Sequence, residues 1–299
     1  MRTRSPLVAV VSSLAIVGLL LLVAGCDTVE PTPTPTQTAY ILPASPVVLP
    51  AVPTDNAAVD NLDNNTGGYT PGAMPTVAGA DATITPTPQP TQVALEMEFT
   101  APDGLLIAAT YYAAVRRPAP TVILLHMVGS NKEAWQPLVG KLQTAGYNAV
   151  AIDLRGHGAT GGTIDWVKAQ QDILSVYQQV SVLPNVAPTR ISIIGANVGA
   201  NLAITACAAL ESCRSVVLLS PSLDYFGVTT GDAMTSLTIP ALIVASRNDA
   251  SSGEASARLN GLGSGDRRLI LNDGDVHGTN LLTSQPDLGD TIIQWLDAH

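Results

Sequence analysis

Hydrophobic positions fall into three regimes along the chain: one unbroken apolar run from Leu7 to Val23, a sparse stretch over residues 27–92, and from Val93 onward short apolar runs alternating with segments of helical period. In the third regime, Leu95 to Thr100 and Leu105 to Ala113 predict an antiparallel pair that turns through Pro102-Asp103-Gly104. Thr121 to Leu125, Ala149 to Asp153, Ile191 to Ile194, Val216 to Leu219, Leu242 to Ala245 and Leu269 to Leu271 are continuously apolar, as strands covered on both faces must be. Between them, Glu133 to Ala145, Ile164 to Val180, Val198 to Leu210, Glu254 to Leu259 and Leu288 to Ala298 predict helices. The second of these is amphipathic through Val167, Ile173, Leu174 and Tyr177. Strand and helix in alternation predict an α/β fold: a mostly parallel, twisted sheet of about eight strands with helices on both faces, wound by right-handed crossovers. The segment between Pro221 and Ile239 is short and predicts a minimal lid and an open pocket.

The other two regimes set the address. Arg2 and Arg4 precede the apolar run, and Ala24-Gly25-Cys26 closes it, the three-part pattern of a secretory signal over residues 1–25. The run is also near the ~18 residues of a spanning helix, so an uncleaved anchor is the alternative. Leu22-Val23-Ala24-Gly25-Cys26 resembles the bacterial lipobox, which implies an acylated Cys26 as the first mature residue, held to the extracytoplasmic face of the membrane. Residues 26–92, with Pro31-Thr32-Pro33-Thr34-Pro35-Thr36 and Thr85-Pro86-Thr87-Pro88, lack the apolar content to offset ordering entropy and predict an extended, polyproline-like tether. The folded domain is expected over residues 93–299.

Charge narrows the function classes. The chain carries 14 basic and 24 acidic residues, and its only adjacent basic pairs are Arg116-Arg117 and Arg267-Arg268. Phosphate-gripping surfaces cluster their cations, so a nucleic-acid partner is not expected. Cys207 and Cys213, six residues apart, either pair as a disulfide in an oxidising compartment or remain two buried thiols; with no His near them a metal site is not expected, and nothing calls for a cofactor.

Candidate chemistry sits just after the apolar runs, where open α/β sheets bind ligands. Leu125-His126-Met127-Val128-Gly129-Ser130 follows the third strand, and Asp153-Leu154-Arg155-Gly156-His157-Gly158 follows the fourth. These segments resemble the α/β-hydrolase superfamily, particularly its dienelactone-hydrolase-like and serine-aminopeptidase-like members. The resemblance implies an oxyanion loop at the first and a structural turn at the second. It gives His126 and His157 shaping roles. In Ile194-Gly195-Ala196-Asn197-Val198-Gly199-Ala200, Gly195 and Gly199 match the frame of the Gly-x-Ser-x-Gly nucleophile elbow, with Asn197 in the nucleophile's position. Asparagine tolerates the positive φ such a turn needs, yet an amide nitrogen is no acyl acceptor. The resemblance further implies that Asp249 orients His277, that His277 faces Asn197, and that the oxyanion donors are the backbone N–H of Val198 and that of Met127 or Val128.

Three functions are consistent with this: a binding protein derived from a hydrolase, taking a small carbonyl or ester ligand or a protein partner; a working ester hydrolase in which His277 activates water, Asn197 deamidates, or Ser130, Ser220 or Ser222 substitutes; and a purely structural envelope module. Loss of a triad nucleophile costs about 10⁶ in turnover, which favours the first.

Overall fold

A computed structural model describes residues 94–299. The expected signal, Cys26 and the tether lie outside the described residues. Eight strands form one sheet: β1 (Ala94–Thr100), β2 (Leu106–Tyr112), β3 (Ala119–Leu125), β4 (Asn148–Ile152), β5 (Val186–Ala196), β6 (Cys213–Leu219), β9 (Ala241–Ser246) and β10 (Arg267–Asn272). Their spatial order is β1-β2-β4-β3-β5-β6-β9-β10. β2 runs antiparallel to both neighbours, and the other pairs are parallel. A separate two-stranded hairpin, β7 (Asp224–Tyr225) and β8 (Val228–Thr229), lies in the segment after β6.

The helices are α1 (Gln136–Thr144), α2 (Trp166–Ser181), α3 (Val198–Ala209), α4 (Gly231–Ser236), α5 (Gly253–Asn260), α6 (Leu281–Ser284) and α7 (Leu288–Ala298). The expected helix from Glu133 instead opens as a separate 3-10 turn, Lys132–Trp135, because Pro137 at the second position of α1 lacks the N–H that would continue an α-helix backward. Asp165 caps α2, its carboxylate accepting from Lys168 N–H at 3.0 Å. Ile173 and Tyr177 of that helix are buried, whereas Val167 is exposed, so the apolar stripe is narrower than its sequence suggests.

Side chains alternate across each strand and split the core in two. Ile123 and Leu125 join Phe99, Ile173, Val176 and the apolar side of α3 on one face of the sheet. Val122 and Leu124 join Trp135, Leu138, Leu142 and Trp295 on the other, under α1 and α7. β3 is the pivot of the winding: the chain steps from β3 to β4 in one direction and from β4 to β5 in the other. Such a reversal opens a crevice between the carboxyl ends of β3 and β5, the place where doubly wound sheets bind ligands.

Cys207 of α3 and Cys213, the first residue of β6, are joined by a disulfide with an S–S distance of 2.01 Å. Among the described residues no helix is long and apolar enough to cross a membrane, and no group of three or more His, Cys, Asp or Glu side chains could hold a metal ion.

Candidate functional site

The turn from β5 into α3 places Asn197 at φ 55°, ψ −121°. A left-handed φ is costly for most side chains and tolerable for asparagine. Two glycines let strand and helix close around it. A Cβ on Gly195 would lie 2.1 Å from the Gly199 carbonyl oxygen, and one on Gly199 would lie 2.3 Å from that of Leu125. The first contact welds helix to strand, and the second brings α3 against the loop after β3.

That loop is aimed by a buried histidine. His126 is fully buried; its Nδ1 lies 2.7 Å from the Met127 carbonyl oxygen, and its Nε2 accepts from Leu154 N–H at 2.9 Å. Nδ1 therefore carries the proton. Burial holds this imidazole down to about 4, so it stays neutral. In a trans peptide the C=O and the following N–H point opposite ways. Tying the Met127 carbonyl to His126 consequently turns the Val128 N–H inward, where it donates to Asn197 Oδ1 at 3.3 Å. Of the two amides that the loop offered in sequence, Val128 supplies the one facing Asn197. Met127 contributes its carbonyl and its sulfur, which takes the Thr279 hydroxyl at 3.7 Å. Val198 N–H, the first amide of α3, has no partner among the described residues and opens onto the same turn.

The other end of the Asn197 carboxamide meets His277, with Nδ2 2.9 Å from Nε2. His277 Nδ1 lies 2.6 Å from Asp249 Oδ2. A carboxylate only accepts, so Nδ1 is the protonated nitrogen and Nε2 accepts from the Asn197 amide. Burial raises the Asp249 carboxyl, but hydrogen bonds from Ser252, His277 and Ser251 outweigh it and leave the group below its ordinary range. Ser251 Oγ donates to Asp249 Oδ1 at 2.7 Å, and Ser252 Oγ binds Oδ2. The His277 loop is clamped on both sides: Ser246 Oγ donates to the Val276 carbonyl at 2.6 Å, and Gly278 N–H donates to Ser220 Oγ at 3.0 Å. Ser220, at φ 53°, is fully buried in that clamp and leads into the hairpin rather than a helix; Ser222 N–H donates to Asn201 Oδ1, and Ser130 N–H donates to the Met127 carbonyl, so none of the three serines sits on a strand-to-helix elbow.

The segment 153–160 is a brace. Asp153 accepts from the N–H of Lys132 and of Ala159 at 2.7 and 2.8 Å, tying the turn after β4 to the turn before α1. Arg155 is buried between Asp172 and Asp103, with bonds of 2.7–3.0 Å to both. His157 Nδ1 lies 3.1 Å from the Arg155 carbonyl oxygen, and its ring meets that of His126 edge-on at 5.2 Å.

Sequence reasoning missed the hairpin wall. Phe226 and Gly227, at φ 52° and 83°, form its two-residue turn, the geometry that matches strand twist. Phenylalanine is unusual at positive φ, and here it stacks on Trp166 at 5.6 Å. Asn201, one helical turn beyond Asn197, anchors the hairpin: its Nδ2 donates to the Val228 carbonyl at 2.8 Å while its Oδ1 takes Ser222 N–H at 3.0 Å. The hairpin thereby sets Tyr225 edge-on to the His277 ring at 6.4 Å. The Tyr225 hydroxyl is buried next to Ser251 and Asn197 yet makes no hydrogen bond of good geometry. No signal in the sequence singles it out, because Tyr-Phe-Gly reads only as a turn.

This is an α/β-hydrolase fold. A profile of the family described as serine aminopeptidase, S33, matches residues 116–227. Solved structures of the same fold include an esterase of Pyrococcus furiosus, 19% identical with a TM-score of 0.59, covering 69% of this chain and 90% of its own. A dienelactone hydrolase of Anabaena variabilis is 16% identical with a TM-score of 0.58, covering 71% of this chain and 99% of its own. An acetyl xylan esterase of a Paenibacillus is 14% identical with a TM-score of 0.61, covering 72% and 87%. No curated protein matches the chain.

Proposed function

We propose that this is a lipid-anchored cell-envelope protein whose α/β-hydrolase domain binds a small carbonyl or ester ligand without forming an acyl-enzyme. One observation carries the reading: on the turn where this fold presents a nucleophile stands the carboxamide of Asn197, hydrogen-bonded at one end to Val128 N–H and at the other to His277. The nitrogen lone pair of an amide is delocalised into its carbonyl, and a neighbouring imidazole cannot turn it into an acyl acceptor as it does a hydroxyl. The groups that recognise a carbonyl oxygen are main-chain amides, which the side chain at position 197 does not alter. When the carboxamide turns aside, Val128 and Val198 N–H are left to hold that oxygen, with His277 and the Tyr225 hydroxyl beside it. The anchor rests on Cys26 and the tether on residues 26–92.

A second reading, an ester hydrolase in which His277 activates water, is favoured by the 2.6 Å pairing of His277 with Asp249, the arrangement a general base requires.

The two readings part in one set of assays. The soluble domain is expected to hydrolyse p-nitrophenyl acetate no faster than an Asp249→Ala, His277→Ala control and not to label with a fluorophosphonate, whereas Asn197→Ser is expected to label. Turnover above the control would establish the second reading. A folded Asn197→Ser protein that stays unlabelled would refute the assignment of the site.

A further inference from the structure

The geometry points to Asn197 as a self-modifying residue: the site hydrolyses its own carboxamide, converting position 197 to aspartate with release of ammonia. The inference rests on the reading that the Val128 loop, Asn197 and His277 form one site. Three placements carry it. The carbonyl oxygen to be polarised, Oδ1, already accepts from Val128 N–H, and the Val198 amide, which has no partner among the described residues, opens onto the same turn. The nitrogen that must leave, Nδ2, lies 2.9 Å from His277 Nε2. His277 is itself oriented by Asp249, and its side chain keeps 29% of its surface exposed while Asn197 is buried, so the imidazole is the solvent-facing member of the pair and the side from which the attacking water would come.

The step balances with water as the only co-reactant. A water oxygen bonds to Cγ of Asn197 as His277 Nε2 takes its proton, and the charge gathers on Oδ1 against Val128 N–H. Collapse breaks the Cγ–Nδ2 bond, and the imidazolium returns its proton to the departing nitrogen. The carboxylic acid formed gives its proton to the ammonia, leaving carboxylate and ammonium. A hydrogen-bonded donor and a positioned acid-base group are the two elements that accelerate amide cleavage in acyl transfer.

The ordinary route to deamidation, attack of the next backbone nitrogen on Cγ, is held back here. Val198 is β-branched and fully buried, and its nitrogen begins α3, so ring closure would have to draw the first turn of the helix out of place. The two routes leave different products: the backbone ring opens to a mixture containing isoaspartate, whereas direct hydrolysis yields α-aspartate alone.

The test is peptide mass spectrometry of the intact folded chain, held at neutral pH and 37 °C for weeks, with Asn197→Asp as the standard. The peptide spanning position 197 is expected to gain about 1 Da, or about 3 Da in H₂¹⁸O, with no isoaspartate. In folded His277→Ala the rate is expected to fall about 10²-fold. An unchanged peptide, an equal rate in His277→Ala, or an isoaspartate-rich product would each overturn the proposal, and the product analysis needs only the native protein if that variant does not fold. Fluorophosphonate labelling of Asn197→Ser separates the failures: labelling with no native mass gain removes this inference and leaves the site standing, and no labelling removes both.

Discussion

The Met127 carbonyl oxygen sits 2.7 Å from Nδ1 of His126, and that bond decides which way the next amide points. His126 thus acts on the site through a peptide plane, never touching Asn197. In an Asn197→Ser background, His126→Ala is expected to lower the rate of fluorophosphonate labelling about 10²-fold, the usual cost of one misdirected oxyanion donor. Circular dichroism on the same sample checks that the fold survives. Labelling at full rate would mean the loop holds Val128 without the imidazole.

The same histidine sets a pH dependence. Its folded value, about 4, lies below its ordinary 6.5, so the unfolded chain binds the proton first. Stability is therefore complete above about 6.5 and is lost as pH falls through about 4, by on the order of 3 kcal/mol. Asp249, held below the ordinary carboxylate range, adds its own loss at still lower pH. Urea midpoints measured between pH 7.5 and 4 are expected to fall in the native protein and to fall less in His126→Gln.

Gly195→Ala is expected to cost at least about 3 kcal/mol or to prevent folding, since the added methyl meets backbone on which the helix-strand junction depends. Gly146→Ala is a control for positive φ alone, because its methyl meets nothing within 4 Å. Chemical denaturation of the two variants side by side separates the close approach from the backbone conformation.

Tyr225→Phe removes a buried hydroxyl that makes no hydrogen bond of good geometry among the described residues. Deleting an unsatisfied polar group is neutral or mildly stabilising, so the melting temperature of the free protein is expected to hold or rise. A loss above about 1 kcal/mol would mean the hydroxyl is bonded in the free protein.

The fold was legible in sequence because strands buried on both faces must be apolar throughout, and Val122 to Leu125 or Leu242 to Ala245 fit nothing else so well. The ends were less legible. β5 begins at Val186, five residues before its apolar run, because Val186 already pairs with Ala119 of β3; the strand then bulges through the exposed Pro188, Thr189 and Arg190, and regular pairing resumes at Ile191 opposite Thr121. The positions of Gly195, Asn197 and Gly199 were readable because close approach and positive φ each restrict the residue allowed. Tyr225 and Asn201 were not: a hydroxyl or amide in a turn or helix gains meaning only from what the chain brings beside it, here Ser251 and His277 across the sheet ends and Val228 across the hairpin. Val167 misled because helical period marks a stripe but not its width.

The sheet fixes where the proposed tether would join the domain. Ala94 opens β1 opposite Tyr112, which in turn stands opposite Ala149 near the start of β4. The chain therefore enters at the amino edge of the parallel strands, while Asn197 and His277 crown the carboxyl edge. An attachment through the residues that precede Ala94, as proposed above, would therefore leave the domain from the edge opposite Asn197 and His277 and would not cover them.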